Sequence, residues 1–240
     1  VTGLVSNTIY DLTVSGTDLA GNVATPVTRT GITYDETAPN FGTVTPAQDA
    51  YIKVADVTFT LSEALKQGAL TYTGTGGSDF GNNHVYTLAG ADLTNLSQQT
   101  KTPAPALVDG NLYQLAAAGT DQADNTFSEV HSNIVYDVTL PDLGSVTPLT
   151  NAKIRPATRV VNWTNSEVMN SGAAVYTWTA GPSDSTSPHT FNFDAGHKPA
   201  GAQSYDFGGG VLVHNATYKL SLTCTDRAGN TFTEADHTGI

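Results

Sequence analysis

Cationic side chains are scarce: 10 Lys and Arg stand against 22 Asp and Glu, a net charge of −12. A surface so poor in Lys and Arg repels phosphates instead of displacing their counterions, which excludes nucleic acid as a partner. No stretch approaches the roughly 18 apolar residues needed to cross a bilayer, so no membrane span is expected in this segment. Cys224 is the only cysteine, and no disulfide can form within the chain. Stability outside the cell must therefore rest on packing or bound ions. The first ten residues have neither the basic start nor the apolar core of a signal peptide. Charged residues make up only 13% of the chain, and long Glu/Lys/Ala/Leu stretches are missing. Also absent are His-Glu-x-x-His, Gly-x-Ser-x-Gly and any phosphate-cradling loop, so no enzymatic activity is expected.

What is abundant is threonine, at 37 of 240 residues, with 23 glycines. Threonine favours pleated strands, and the composition points to an all-β chain. An internal repeat organises it. Leu4-Val-Ser-Asn-Thr-Ile-Tyr10, Leu107-Val-Asp-Gly-Asn-Leu-Tyr113 and Leu212-Val-His-Asn-Ala-Thr-Tyr218 align, and each leads at the same offset to Thr-Asp-Leu-Ala-Gly-Asn22, Thr-Asp-Gln-Ala-Asp-Asn125 and Thr-Asp-Arg-Ala-Gly-Asn230. The period is 103 residues (Asp18 to Asp121) and then 105 (Asp121 to Asp226). Tyr34-Asp35 and Pro39 recur as Tyr136-Asp137 and Pro141, and Ser62-Glu63 as Ser166-Glu167.

With the Tyr-Asp segments as linkers, the chain divides into residues 1–35, the last third (strands F and G) of a repeat, and two whole repeats at 36–137 and 138–240. A lone hairpin cannot bury a core, so the native protein is expected to continue upstream, and this chain reads as a window onto a longer array. Alternation and turn residues predict strand A at 42–45 and 144–147, B at 54–61 and 159–164, and C at 69–73 and 173–179. Strand D is predicted at 85–88 and 190–193, F at 112–118 and 218–224, and G at 126–136 and 231–240. Strand E has no segment that the pattern singles out. Seven short strands in about 103 residues match an immunoglobulin-like sandwich, and Tyr10, Tyr113 and Tyr218 suit tyrosine corners at the start of strand F.

Thr-Asp-Leu-Ala-Gly-Asn followed by Tyr-Asp-Glu-Thr-Ala-Pro resembles the bacterial Ig-like tandem repeats of large repetitive surface proteins and adhesins. The resemblance implies extracellular spacers on a bacterial cell surface, many copies of which bind calcium at domain junctions through the aspartates of these motifs. Two positions depart from the pattern: Asp124 stands where the other copies have Gly, and the second linker reads Asp-Val-Thr-Leu-Pro141.

The fold argues for the same location. Strands B and F of an Ig-like sandwich both run toward the domain's N-terminal end, so the loops after them flank the incoming linker. Glu63 and Asp121 are then expected to meet Asp35 and Glu36 at the first junction, and Glu167 and Asp226 to meet Asp137 at the second. Crowded carboxylates raise one another's pKa unless a cation intervenes, and an all-oxygen set of this kind suits structural Ca²⁺. The bland reading of Asp-x-Ala-Gly-Asn is a tight turn in which Asp and Asn cap their own backbone.

Weaker signals are a Gly74–Asp79 surface loop, a metal pair of His189 and His197 flanking Asp194, and Tyr176 with Trp178 as an aromatic platform for carbohydrate. Trp163, in place of Phe59, reads as core. Neighbouring repeats are the expected partners. The alternatives are a glycan or protein receptor bound by the inserts at 73–83 and 181–201, and self-association into a filament or surface layer through Thr-rich edges.

Overall fold

The computed structural model describes residues 3–155 and 159–240; the first two residues of the 1–35 segment lie outside the described residues. The chain opens with an antiparallel hairpin, β1 (Thr8–Val14) and β2 (Val27–Tyr34). The second repeat comprises β3 (Phe41–Thr45), β4 (Tyr51–Ile52), β5 (Val57–Leu61), β6 (Leu65–Gly76) and β7 (Asn83–Thr87). A 3₁₀ turn at Gly90–Leu93 then leads to β8 (Gln99–Lys101), β9 (Asn111–Asp121) and β10 (Thr126–Tyr136). The third comprises β11 (Leu143–Thr147), β12 (Val160–Asn165), β13 (Met169–Ala180), β14 (His189–Asn192), β15 (Gly201–Asp206), β16 (Thr217–Asp226) and β17 (Thr231–Thr233).

Both repeats are Ig-like β-sandwiches built on one plan. The sheets are β3-β5-β8 with β4-β10-β9-β6-β7, and β11-β12-β15 with β14-β13-β16-β17. Strand E is therefore β8 in one repeat and β15 in the other. Only Gln99 is buried in β8 and no residue of β15 is, so neither segment carries the apolar alternation that marks a strand. The predicted strand D, β7 or β14, pairs with β6 or β13. It thus lies on the sheet of C, F and G, and not beside E as in constant-type Ig domains. Strand B begins at Val57, not Val54, which is 56% exposed. Strand G of the last repeat ends as a regular strand at Thr233, and beyond it the pairing with β16 continues in interrupted form, through Glu234 with Leu222, His237 with Leu220 and Ile240 with Tyr218.

Period-two burial builds the cores. Along β9, Tyr113, Leu115 and Ala117 are fully buried, and along β16 Leu220 and Leu222. Phe59, Leu70 and Tyr72 are likewise buried in one repeat, where the Tyr72 and Tyr113 rings lie 6.1 Å apart, and in the other Trp163, Ala174 and Tyr176 join Leu220 and Leu222 in one cluster. Each large apolar side chain among them, such as Leu115 or Leu220, contributes about 1.5–3 kcal/mol on burial. Trp163 takes the Phe59 position, stacks on Phe193 at 4.8 Å and donates Nε1–H to Asn165 Oδ1 at 2.9 Å, so its role is packing. The hairpin is the exception. Leu12 and Val14 align with Leu115 and Ala117, yet are 52% and 60% exposed.

By compactness the chain forms two units: Val1–Asp49, Ala55–Leu107 and Tyr113–Ile134 make the first; Ala50–Val54, Val108–Leu112 and Val135–Ile240 make the second.

Candidate metal centres

In the first unit Asp35 follows β2, Glu63 follows β5 and Asp121 ends β9. One carboxylate oxygen from each lies within 4.8 Å of the other two. In the second unit Asp137 after β10, Glu167 after β12 and Asp226 at the end of β16 repeat the arrangement, with the same limit. These two triads are the groups of three or more metal-ligating side chains found among the described residues. Asp121 and Asp226 are buried; the linker aspartates and the glutamates are half-buried.

The Asp-x-Ala-Gly-Asn segment is a tight turn in all three copies. Asp121 Oδ1 accepts the backbone N–H groups of Ala123 (2.7 Å) and Asn125 (2.9 Å), and Oδ2 accepts Asn125 Nδ2 (2.8 Å). Asp18 makes the same three bonds with Ala20 and Asn22. Asp226 accepts the backbone and side-chain N–H of Asn230 at 2.9 and 2.8 Å. Gly21, Asp124 and Gly229 take positive φ values of 89°, 69° and 85°, which explains how Asp124 can replace Gly: aspartate tolerates the left-handed region.

The turn asparagine also ties down the linker. Asn125 Nδ2 donates to the carbonyls of Asp35 and Thr37, both at 3.2 Å, and Asn230 Nδ2 to that of Asp137 at 3.0 Å. From the other side the Ser6 hydroxyl accepts the Glu36 N–H at 2.9 Å, while Asp109 accepts the Val138 N–H at 2.8 Å and the Thr139 hydroxyl at 2.6 Å. Asp35 and Asp137 are thus held in place by hydrogen bonds of the protein itself.

The electrostatics carry the mark of crowding. Glu63 is pushed up by burial and then by the charges of Asp35 and Asp121. Glu167 is pushed up by burial and by Asp137 and Asp226, and Asp137 by burial, against a bond from Thr139, and by Asp226 and Asp109. Burial also disfavours the charged form of Asp121, but the Asn125 amide and backbone N–H groups outweigh it and hold this carboxyl below its usual range. The first site thus has a firmly ionised, turn-held aspartate, Asp121, and each site has a glutamate that resists ionisation.

The donor set fits a hard cation. It is all oxygen, without the nitrogen or sulfur that favours zinc or copper. Oxygens on opposite sides of one Ca²⁺ at about 2.4 Å lie about 4.8 Å apart, so the three carboxylates are spaced within the diameter of one calcium coordination shell.

Other expected site residues go elsewhere. Glu36 does not join the first triad: it is exposed and its carboxylate accepts the Tyr34 hydroxyl. Adjacent residues of an extended linker point in opposite directions. Tyr176 is fully buried, and Trp178 packs against the core and donates Nε1–H to the Pro182 carbonyl at 3.0 Å. The pair presents no open platform to a sugar. His189 and His197 do not converge on Asp194: His197 Nδ1 contacts Asp194 at 2.6 Å, whereas His189 Nε2 contacts Asp184 at 2.6 Å.

That last contact belongs to a second recurrent constellation, which the sequence reading misses. Asp184 accepts the Tyr218 hydroxyl at 2.7 Å, and Asp79 accepts that of Tyr113 at 2.6 Å while contacting His84 Nε2 at 2.6 Å. The tyrosine corner is present as well, since the Val213 N–H donates to the Tyr218 oxygen at 2.8 Å and Val5 N–H to Tyr10 at 2.7 Å. The Gly74–Asp79 segment is therefore a device for turning Asp79 inward. Gly74 is needed there because a Cβ would lie 2.0 Å from the Asp79 carbonyl oxygen. The signal was available: Asp-x4-His recurs at 79–84 and 184–189, each 105 residues apart.

No family model matches the chain. Exoglucanase B of Cellulomonas fimi is 34% identical over 125 residues, which is 52% of this chain and 11% of that protein, so the chain spans about a tenth of the length of this curated relative. Among solved structures, the chicken CNTN1 FN1–FN3 domains align with 96% of this chain and 76% of theirs at 11% identity and a TM-score of 0.39. A Ca²⁺-stabilized adhesin with which an Antarctic bacterium binds ice aligns over 96% of this chain and 56% of its own at 17% identity and a TM-score of 0.27. A 1.5-MDa bacterial ice-binding adhesin aligns over 97% and 74% at 15% identity and a TM-score of 0.31.

Proposed function

We propose that this chain is a non-enzymatic spacer of a bacterial cell-surface or secreted protein: a hairpin belonging to one Ig-like repeat (1–35), followed by repeats at 36–137 and 138–240, each linker fixed by Ca²⁺. The first ion is held by Asp35, Glu63 and Asp121 and the second by Asp137, Glu167 and Asp226. The observation that carries this reading is the recurrence of one three-carboxylate geometry, each time joining a linker to the loops after strands B and F. Catalytic groups have no reason to recur in every copy; a junction clip does. The partial identity with Exoglucanase B, confined to 11% of that protein, fits an accessory segment of a larger extracellular chain.

Calcium supplies charge neutralisation and bridging oxygen coordination. The protein supplies the rest: Asn125 and Asn230 place the linker carbonyls, and the turn N–H groups keep Asp121 and Asp226 aimed. An ion that binds only the assembled arrangement adds its binding free energy to it, about 4 kcal/mol at a thousand times Kd. Calorimetric melting and small-angle scattering with Ca²⁺ and with EDTA test this. The expected result is a higher Tm and a stiffer particle with Ca²⁺; melting and scattering indifferent to EDTA overturn it.

A further inference from the structure

The third repeat carries a cavity of about 510 Å³ lined by Lys153, Ile154 and Arg155 on one side and Val213, His214 and Asn215 on the other. Internal equivalence identifies what it is. Ala152-Lys-Ile-Arg155 aligns with Ala50-Tyr-Ile-Lys53, and each follows a left-handed residue, Asn151 (φ 62°) or Asp49 (φ 61°). Val213-His-Asn215 aligns with Val108-Asp-Gly110, with Asn215 (φ 61°) and Gly110 (φ 70°) left-handed as well.

The fate of the earlier pair of segments is known. Ala50–Val54 and Val108–Leu112 belong to the compact unit of residues 135–240. Within that unit the Arg227 guanidinium lies 3.7 Å from the Tyr51 ring centroid and donates to its hydroxyl at 2.7 Å; the Lys53 ammonium donates to the Gly229 carbonyl at 2.5 Å. Asp109 receives the linker residues Val138 and Thr139. A linker and a strand F–G turn thus fill on the earlier segments what the later segments leave as a cavity.

We propose that the Lys153–Arg155/Val213–Asn215 cavity is the seat for the linker and F–G turn of a further Ig-like repeat, and that its charge selects which repeat docks. The proposal rests on the tandem-array reading. Its chemistry follows from two replacements. Tyr51, a neutral ring that accepts a guanidinium, becomes Lys153, and Asp109, with two acceptor oxygens, becomes His214, whose ring offers at most one acceptor. A turn bearing Arg at the Arg227 position meets like charge from Lys153, which stands where Tyr51 took the guanidinium; a turn bearing Glu or Asp there meets opposite charge. The seat belongs to an acidic-turn follower.

The test appends a second copy of residues 135–240 after Ile240 of the full chain, once unchanged and once with Arg227→Glu in the appended copy. Each is also made with Lys153→Tyr in the resident repeat. The expected result is that the Glu form melts about 4 °C or more above the Arg form, scatters as the stiffer particle, and loses this advantage at high salt. Lys153→Tyr reverses the preference. Equal melting of all four chains at a stiff joint overturns the charge selection while leaving the array reading intact. A flexible joint in all four overturns the seat, and a flexible joint within the unextended, calcium-loaded chain counts against the array reading itself.

Discussion

Replacing Glu167 by glutamine removes one charge and keeps the shape, and the proposed calcium centre makes the sign of the effect depend on the ion. Each pair of ionised carboxylates in the second triad lies within 4.8 Å. At that distance like charges repel by about 3.5 kcal/mol at an effective dielectric of 20 and about 0.9 kcal/mol at that of water. Glu167 is half-buried, and salt screens what the solvent reaches, so relief from its two neighbours comes to about 1–2 kcal/mol. Without calcium, Glu167→Gln therefore stabilises the second unit, raising its Tm by about 4–8 °C for each kcal/mol. With calcium the order inverts, because the wild type gains the ion's binding energy and the variant has lost a charged ligand. The pH dependence has a definite sign as well. The Glu167 carboxyl is raised above its ordinary 4.5, so its penalty is full above the raised value and vanishes below 4.5; the calcium-free wild type gains more stability on mild acidification than the variant, which keeps only the smaller gain from the raised Asp137. Calorimetry of both chains in EDTA and in millimolar Ca²⁺, between pH 4.5 and 8, reads all of this. A variant that is less stable in EDTA, or that still responds fully to calcium, refutes the reasoning.

Other predictions concern the sandwich itself. Leu220→Ala empties a fully buried site and costs about 2–5 kcal/mol, whereas the aligned Leu12→Ala, at a position 52% exposed, changes stability by about 0.5 kcal/mol or less; urea melts of the two variants compare them directly. Asp184 is held well below the usual carboxylate range by Tyr218, His189 and Thr186, so its contribution is present at neutral pH and disappears as acid protonates it below its ordinary value of 3.8. The Asp184→Asn variant melts lower at pH 7 and shows a flatter acid limb in a Tm-against-pH series. Cys224 is buried and its thiol is pushed up to about 11, so it stays unreactive toward a thiol reagent at pH 8 until the chain is denatured.

The repeat and its strands were legible because both rest on local chemistry. Alternating apolar residues on β9 and β16 can bury only one face, and Asp121 and Asp226 cap their turns with the next four residues. Even the two acidic triads could be anticipated, since a sandwich topology dictates that the ends of B and F share one pole with the entering linker. Strand E was invisible for the converse reason: β8 and β15 are edge segments held by backbone ladders to β5 and β12, with almost no burial of their own.

What only the tertiary structure decided are the matters in which several distant segments compete for one side chain. His189 could have turned to Asp194 with His197, but the fold offers it Asp184, already held by the Tyr218 hydroxyl from β16. Glu36 and Asp35 are adjacent in sequence, yet only Asp35 reaches the triad. Tyr176 and Trp178 share a strand face that a surface ligand could use or a core could consume, and here packing against Phe207 and Tyr218 consumes it. Sequence determined this protein's repeat, its strands and its carboxylate inventory, because periodicity and turn chemistry act within a few residues. Which of those carboxylates, histidines and aromatics meet was decided by the sandwich, because such contacts depend on which face each strand turns inward.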